Sequence, residues 1–222
     1  IGYACDLIDQ LGVAGVYFGN SGAESNEAAI KLARKYGQLN GGSKRKTIVT
    51  LESSFHGRTL ATLTATGQEK FHPDCFAPYP EGFKTIKPND FDSLKNAFDD
   101  TTAALFIECI QGEGGVNLID AQWAKEAAQA ARNAGAIVMA DEVQTGVGRT
   151  GYFLASDELG FEPDVVTLAK GIAGGIPMGA CLFRGKAKDI FVAGDHQSTF
   201  AGNPLACAAA QVVLDTVNDK DF

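Results

Sequence analysis

Apolar runs alternate with helical periodicity along most of this chain. The apolar runs are short and continuous, as in strands that are buried on both faces of a sheet. They cover residues 16–18, 47–51, 103–110, 136–140, 165–169 and 180–183. Because helical patterns separate several of these strands, we expect an α/β fold with a mainly parallel sheet flanked by helices.

Three helices have recognisable boundaries in the sequence. They are predicted over residues 21–37, 120–135 and 203–217. Ser21-Gly-Ala-Glu24 forms a capping-box pattern, Asp120 is a suitable N-cap, and Pro204 suits the first turn of the third helix. Residues 66–92 hold four of the seven prolines and show no period, so we expect a long surface loop there.

Composition indicates one large globular unit over residues 1–222, since 45% of the residues are hydrophobic and no linker interrupts the pattern. The net charge of −8 argues against nucleic-acid binding, which requires a basic face. No apolar run reaches the roughly 20 residues of a membrane span. The five cysteines lack paired spacing and the three histidines are scattered, which predicts reduced thiols in the cytoplasm and no metal site.

Two charged residues directly follow predicted strands. Lys170 follows the strand at 165–169, and Asp141 follows the strand at 136–140. A lysine kept neutral by burial or by imine formation can react with an aldehyde cofactor, while a carboxylate can hold a pyridine nitrogen protonated. The pair suggests pyridoxal phosphate, although each residue alone also fits a solvated lysine or a turn-capping acid.

Further candidates lie at other strand ends. The amides of Gly22 and Ala23 open a helix and can bind an anion such as a phosphate, or belong to an ordinary capped helix. Phe55 can stack on a planar ring and Arg58 can clamp a carboxylate, or the two can be a core aromatic and a surface charge. We expect His56 to pack or to form a hydrogen bond.

Polar residues at three later positions complete the candidate set. Glu108 and Glu113 end an apolar strand, where open α/β sheets bind ligands. Glu108 in particular needs a partner, because it lies in an apolar run. Gln144 can hydrogen-bond a phenolic oxygen, and Ser198 and Thr199 precede a helix, as a phosphate contact or as a simple cap.

Six segments of the sequence resemble those of the class III aminotransferases, and they are most similar to the acetylornithine and ornithine aminotransferases. They are Ser21-Gly-Ala-Glu, Phe55-His-Gly-Arg-Thr, Glu108 to Gly115, Asp141-Glu-Val-Gln-Thr-Gly, Lys170 and Ser198-Thr-Phe-Ala-Gly-Asn-Pro. The resemblance implies the large domain of a fold type I pyridoxal phosphate enzyme, with a seven-stranded type of sheet. It also implies a homodimer, and that residues 1–222 are an excerpt without an N-terminal segment and a small C-terminal domain.

The resemblance also implies a role for each matching residue. Lys170 is the Schiff-base lysine and proton carrier, and Asp141 binds the pyridine nitrogen. The other cofactor residues are Gly22 and Ala23 at the phosphate, Phe55 and Val143 on the ring faces, Gln144 at the phenolic oxygen, and Thr199, beside Ser198, at the neighbouring subunit's phosphate. Arg58, Glu108 and Glu113 are implied in substrate binding.

The expected reaction moves an amino group from N-acetylornithine or an ornithine-like donor to 2-oxoglutarate, as in arginine biosynthesis. A 4-aminobutyrate, lysine or succinylornithine aminotransferase, or an aminomutase, stays open as an alternative within the same family. A module that is incomplete and not catalytic by itself is the alternative from another class.

Overall fold

The computed structural model of the protein describes residues 1–219 and 221–222. Its strands are β1 (Gly15–Gly19), β2 (Thr47–Leu51), β3 (Phe83–Ile86), β4 (Thr102–Glu108), β5 (Ile110–Gln111), β6 (Asn117–Leu118), β7 (Ile137–Asp141), β8 (Val165–Leu168) and β9 (Gly179–Phe183). Its α-helices are α1 (Gly2–Leu11), α2 (Gly22–Gly41), α3 (Leu60–Ala65), α4 (Phe91–Leu94), α5 (Ala121–Asn133), α6 (Ala155–Leu159) and α7 (Pro204–Val217).

Seven strands form one sheet in the order β1-β9-β8-β7-β4-β2-β3. Strand β9 is antiparallel to both of its neighbours, and the pairs from β8 to β3 are all parallel. Strands β5 and β6 form a separate two-stranded hairpin. The expected mainly parallel seven-stranded sheet is therefore confirmed, and the carboxyl ends of β2, β4, β7 and β8 meet at one edge.

Hydrophobic cores cover both faces of this sheet. Strand β4 is buried at every position, and its side chains alternate between the two cores. Leu105 and Ile107 face the core that contains Trp123 of α5, whereas Phe106 faces the core that contains Leu32 of α2. Each fully buried large apolar side chain contributes about 1.5–3 kcal/mol, so the sheet is firmly held from both sides.

The predicted end of the first helix at Gly37 is wrong, because α2 continues to Gly41. Gly37 lies against another backbone segment, and a Cβ at this position would come within 2.0 Å of the Arg45 carbonyl oxygen. The glycine therefore serves a close backbone approach inside the helix. The helix ends instead before Gly42, whose φ of 74° suits a glycine.

The other two helix predictions are confirmed. The side chain of Asp120 accepts a hydrogen bond from the Trp123 amide, and the side chain of Asn203 accepts one from the Ala206 amide. These caps satisfy backbone donors that have no partner inside the helix.

Two strand and loop predictions need correction. The expected loop at 66–92 contains β3, a four-residue edge strand that pairs in parallel with β2. It is too short for a recognisable alternation. The expected strand at 103–110 ends at Glu108, and Ile110 already belongs to the hairpin. In the part of the chain that the structure describes, no helix has the length and apolar content to cross a membrane.

Candidate active site

A cleft of about 450 Å³ opens at the sheet edge where the parallel strands end. Ten sequence-predicted residues line it: Gly22, Ala23, Phe55, Arg58, Glu108, Glu113, Asp141, Val143, Gln144 and Lys170. They come from the start of α2 and from the segments after β2, β4, β7 and β8. Thr199 does not line this cleft, and its side chain is exposed.

Asp141 is the last residue of β7 and is 3% exposed. One carboxylate oxygen, Oδ2, accepts hydrogen bonds from Asn26 Nδ2 at 2.8 Å and from His56 Nδ1 at 2.7 Å. The other oxygen, Oδ1, accepts from the Val143 amide at 3.0 Å. A carboxylate only accepts, so His56 carries a proton on Nδ1. The network fixes both the position and the orientation of the carboxylate.

His56 is buried and stacks on Phe106, with ring centroids 4.3 Å apart and an interplanar angle of 15°. The expectation that it packs or hydrogen-bonds is confirmed. Sequence reasoning missed Asn26, which is 1% exposed and also donates to the His56 carbonyl oxygen. Its spacing of four residues from Gly22 places both on one face of α2, and a polar residue on that buried face was the available signal.

Glu108 lies directly opposite Asp141 in the register of β4 and β7. Burial, followed by the charge of Asp141, raises the pKa of Glu108 well above its ordinary value. The Phe55 amide donates to Glu108 Oε2 at 2.9 Å and opposes part of this shift. The partner that Glu108 needs is thus the backbone amide of Phe55, and this bond also anchors the segment that carries Phe55.

Lys170 begins a 3-10 helix directly after β8 and Ala169. Its φ is 46°, in the left-handed region that non-glycine residues rarely adopt. Such conformations persist where the surrounding structure imposes them, and they are concentrated at functional sites. The side chain lines the cleft and is exposed.

The start of α2 forms the opposite wall of the cleft. Ser21 Oγ accepts a hydrogen bond from the Glu24 amide at 3.2 Å, and the Glu24 carboxylate accepts from the Asn20 amide. Ser21 is therefore the N-cap that the sequence predicts, but the predicted capping box is only half formed, because the Glu24 carboxylate binds the Asn20 amide and not the Ser21 amide. Gly22 lies against Val143, since a Cβ on Gly22 would come within 2.7 Å of Val143 Cγ1.

The outer residues of the cleft have fewer partners. Glu113 is exposed, and the exposed guanidinium of Arg58 rests over the Phe55 and Phe71 rings. Ser198 Oγ accepts a hydrogen bond from Asn20 Nδ2 at 2.8 Å, which brings the segment before α7 next to the start of α2. Thr199 itself is exposed to solvent.

An exposed lysine and a buried aspartate at adjacent strand ends are the two side chains that a pyridoxal phosphate enzyme of the α/β type requires. The sequence profile described as "Aminotransferase class-III" matches residues 3–222. The chain belongs to this family, and the predicted family and fold class are confirmed.

Curated relatives agree with this assignment. The chain is 49% identical to the acetylornithine aminotransferase of Caldanaerobacter subterraneus subsp. tengcongensis over 207 residues, which are 93% of this chain and 52% of that protein. It is 50% identical to the acetylornithine aminotransferase of Aquifex aeolicus over 202 residues, or 91% of this chain and 53% of that protein. The chain spans about half the length of the curated relatives that it matches.

Solved structures share the fold. The ornithine aminotransferase of Toxoplasma gondii ME49 superposes with a TM-score of 0.93 at 33% identity, covering 99% of this chain and 53% of that one. An amine transaminase from an uncultivated Pseudomonas species, solved with pyridoxal phosphate bound, gives a TM-score of 0.89 at 29% identity. That alignment covers 99% of this chain and 57% of the other.

The cleft residues fit pyridoxal phosphate, the cofactor of this family. Apart from His56, no basic side chain lies within 4.0 Å of the Asp141 carboxylate among residues 1–219 and 221–222. A cationic partner stabilises a buried carboxylate in addition to its hydrogen bonds, and a protonated pyridine nitrogen would supply that charge. The amides of Gly22 and Ala23 lie in the first turn of α2, where backbone donors lack helical partners and suit a phosphate.

Proposed function

We propose that the protein containing this chain transfers an amino group from N-acetylornithine, or a similar ω-amino donor, to 2-oxoglutarate. Pyridoxal 5′-phosphate is the proposed cofactor, and the reaction is of the type used in arginine biosynthesis. The observation that carries the proposal is the convergence of Lys170 and Asp141 on one cleft. Identities of 49% and 50% to acetylornithine aminotransferases support the choice of donor.

The proposed cofactor contacts follow from the positions of the side chains. Asp141 would hold the pyridine nitrogen protonated, and Gln144 would donate to the phenolic oxygen. The first turn of α2 would bind the phosphate at Gly22 and Ala23, with Phe55 and Val143 on the two faces of the ring. When bound, pyridoxal phosphate supplies an aldehyde and an electron-accepting ring, which protein side chains lack.

The chain's own residues would then bind the substrate and move its protons. Lys170 Nζ would take the proton from the carbon that bears the amino group and return it during transfer. Arg58 would bind a substrate carboxylate through two parallel N–H donors. Glu108 and Glu113 would border the substrate on the side of β4.

The proposed assembly is a homodimer in which Ser198 and Thr199 lie near the neighbouring subunit's phosphate. The exposure of Thr199 outside its own cleft supports this arrangement. We also propose a cytoplasmic enzyme, because all five cysteines carry free thiols, as is usual in reducing compartments.

Substitution of Lys170 tests the proposal in the full-length protein. We expect Lys170→Ala to remove the visible absorbance of the lysine-bound cofactor and to lower amino transfer at least about 10³-fold, as loss of a reactive nucleophile does. Lys188→Ala, at an exposed lysine after β9, is the matched control. Normal colour and normal transfer in Lys170→Ala would disprove the proposed role of Lys170.

A donor panel tests the proposed substrate. N-acetylornithine should give the highest kcat/KM when it is compared with ornithine, succinylornithine, 4-aminobutyrate and lysine. A clear preference for one of the others would keep the cofactor chemistry and change the donor. Binding of pyridoxal phosphate without any transfer would favour a module that is not catalytic.

A further inference from the structure

Arg58 is held by aromatic rings. Its Cζ atom lies 4.2 Å from the centroid of the Phe71 ring and 5.4 Å from that of Phe55. The two rings meet edge to face, with centroids 5.9 Å apart and an interplanar angle of 76°. No carboxylate lies within 4.0 Å of Arg58 in the described part of the chain. Cation–π attraction therefore takes the place of an ion pair at this position.

The segment that carries Phe71 is tied to the end of β2. The Ser53 amide donates to the Gly67 carbonyl at 2.8 Å, and the Gly67 amide donates to Ser54 Oγ at 2.9 Å. Gln68 Nε2 then donates to the Ser54 carbonyl at 3.1 Å. Because Ser54 directly precedes Phe55, these bonds fix the Phe71 ring relative to the residues that line the cleft.

We propose that Phe71 is a positioning residue that holds Arg58 ready for a substrate carboxylate. The proposal rests on the proposed function, in which Arg58 takes that carboxylate. Stacking uses the flat face of the guanidinium and leaves its N–H edges free to donate in a bidentate manner. Phe71 does not line the cleft, so it acts through Arg58 without touching the substrate.

The arrangement favours substrates that carry a carboxylate. An arginine fixed before binding loses less side-chain freedom when the carboxylate arrives, and this improves affinity. A ring on one face also shields the ion pair from water, which strengthens the attraction. Both effects act on binding, so we expect Phe71 to influence KM and leave kcat nearly unchanged.

The test compares Phe71→Leu with Phe71→Tyr in the full-length protein. We expect Phe71→Leu to raise the KM for 2-oxoglutarate about fivefold with kcat within twofold, the size of a partly exposed cation–π contact. Phe71→Tyr retains the ring and should restore the normal KM. The dissociation constant of 2-oxoglutarate from calorimetry should rise with the KM, independently of turnover. Should Phe71→Leu fail to fold, Phe71→Met removes the ring in the same way.

Matched controls separate positioning from general damage. Phe76→Leu makes the same chemical change in the same segment, residues 66–92, at a residue that is 54% exposed. It should leave KM unchanged. In an Arg58→Met background, Phe71→Leu should add no further increase in KM, because the two residues act as one unit.

Three results would overturn the proposal. The first is an unchanged KM in Phe71→Leu. The second is a KM that rises as much in Phe71→Tyr as in Phe71→Leu. The third is a KM that falls in Phe71→Leu, because the ring had then held Arg58 away from the substrate. Failure of the proposed function is recognised separately, since the unaltered protein would then transfer no amino group to 2-oxoglutarate.

Discussion

The floor and the rim of the cleft differ in how they are held. The floor consists of Asn26, His56, Glu108 and Asp141, all at most 4% exposed. The rim consists of Arg58, Glu113 and Lys170, whose side chains are exposed. In the floor, hydrogen bonds within the chain fix each carboxylate. In the rim, the contacts given by the structure are mainly the aromatic faces beneath Arg58.

This difference indicates a division of tasks. Buried polar groups need partners, and a floor with its partners in place holds its charges at fixed positions before any ligand binds. Exposed side chains without such an aromatic support retain rotamer freedom, so a substrate or another protein surface can set their final geometry. We therefore expect substitutions in the floor to affect stability and cofactor binding together, and substitutions of Arg58 and Glu113 in the rim to affect substrate binding alone.

Within the floor and its adjoining wall, the largest effect is expected for Asp141→Asn, which keeps the shape of the side chain and removes its charge. Amino transfer should fall about 10²–10³-fold, the usual cost of removing one preorganised electrostatic group. Affinity for pyridoxal phosphate, measured by titration of its visible absorbance, should fall as well. Asp9→Asn, on the exposed face of α1, should change neither quantity. Full activity of Asp141→Asn would contradict the role that we give to the floor.

A smaller effect is expected for Gly22→Ala at the wall next to the floor. The new Cβ would lie 2.7 Å from Val143 Cγ1, and overpacking of this kind costs about 1–3 kcal/mol. Gly2→Ala is the matched control, because Gly2 also begins a helix and a Cβ there meets nothing within 4 Å. Urea unfolding measures both variants. Equal free energies of unfolding for the two variants would show that Val143 moves aside without cost, and would contradict the predicted overpacking.

The smallest effect is expected for Glu108→Gln and depends on pH. Burial and Asp141 raise the pKa of Glu108, so the folded protein keeps this group protonated at pH values where the unfolded chain ionises it. As pH rises above the ordinary pKa of 4.5, ionisation of Glu108 lowers the free energy of the unfolded chain but not that of the folded protein, so the free energy of unfolding falls. Glu108→Gln removes this loss and still accepts the Phe55 amide. It should raise the free energy of unfolding at pH 7 by less than Gly22→Ala lowers it.

The same pH series also distinguishes a buried glutamate of the floor from an exposed glutamate of the rim. The advantage of Glu108→Gln should disappear below about pH 4.5, where wild type is also protonated in both states. Glu113→Gln, at the exposed rim, should stay within about 0.5 kcal/mol of wild type at every pH, as surface substitutions do. A stabilisation by Glu108→Gln that persists at low pH would point to packing instead of charge.

Much of the fold was predictable because its signals are local. The Thr47–Leu51 strand and the start of α7 at Pro204 have the predicted bounds, since apolar runs and caps are written in neighbouring residues. Strand β3 was not predictable, because four residues at a sheet edge carry too weak a pattern. The helix was wrongly predicted to end at Gly37, because the reason for this glycine is the close backbone of Arg45, which lies outside the helix.

The sequence alone was enough to locate most strands along the chain and to single out Lys170 and Asp141, because each of these two residues follows a readable apolar run. Only the tertiary structure brought Asn26 and His56 to Asp141, across 115 and 85 positions of sequence. Burial of Glu108 raises its pKa, and the sheet register, which sets Glu108 opposite the charge of Asp141, raises it further. Hydrogen bonds and charge effects act over a few ångströms in space, so residues far apart in sequence decide them.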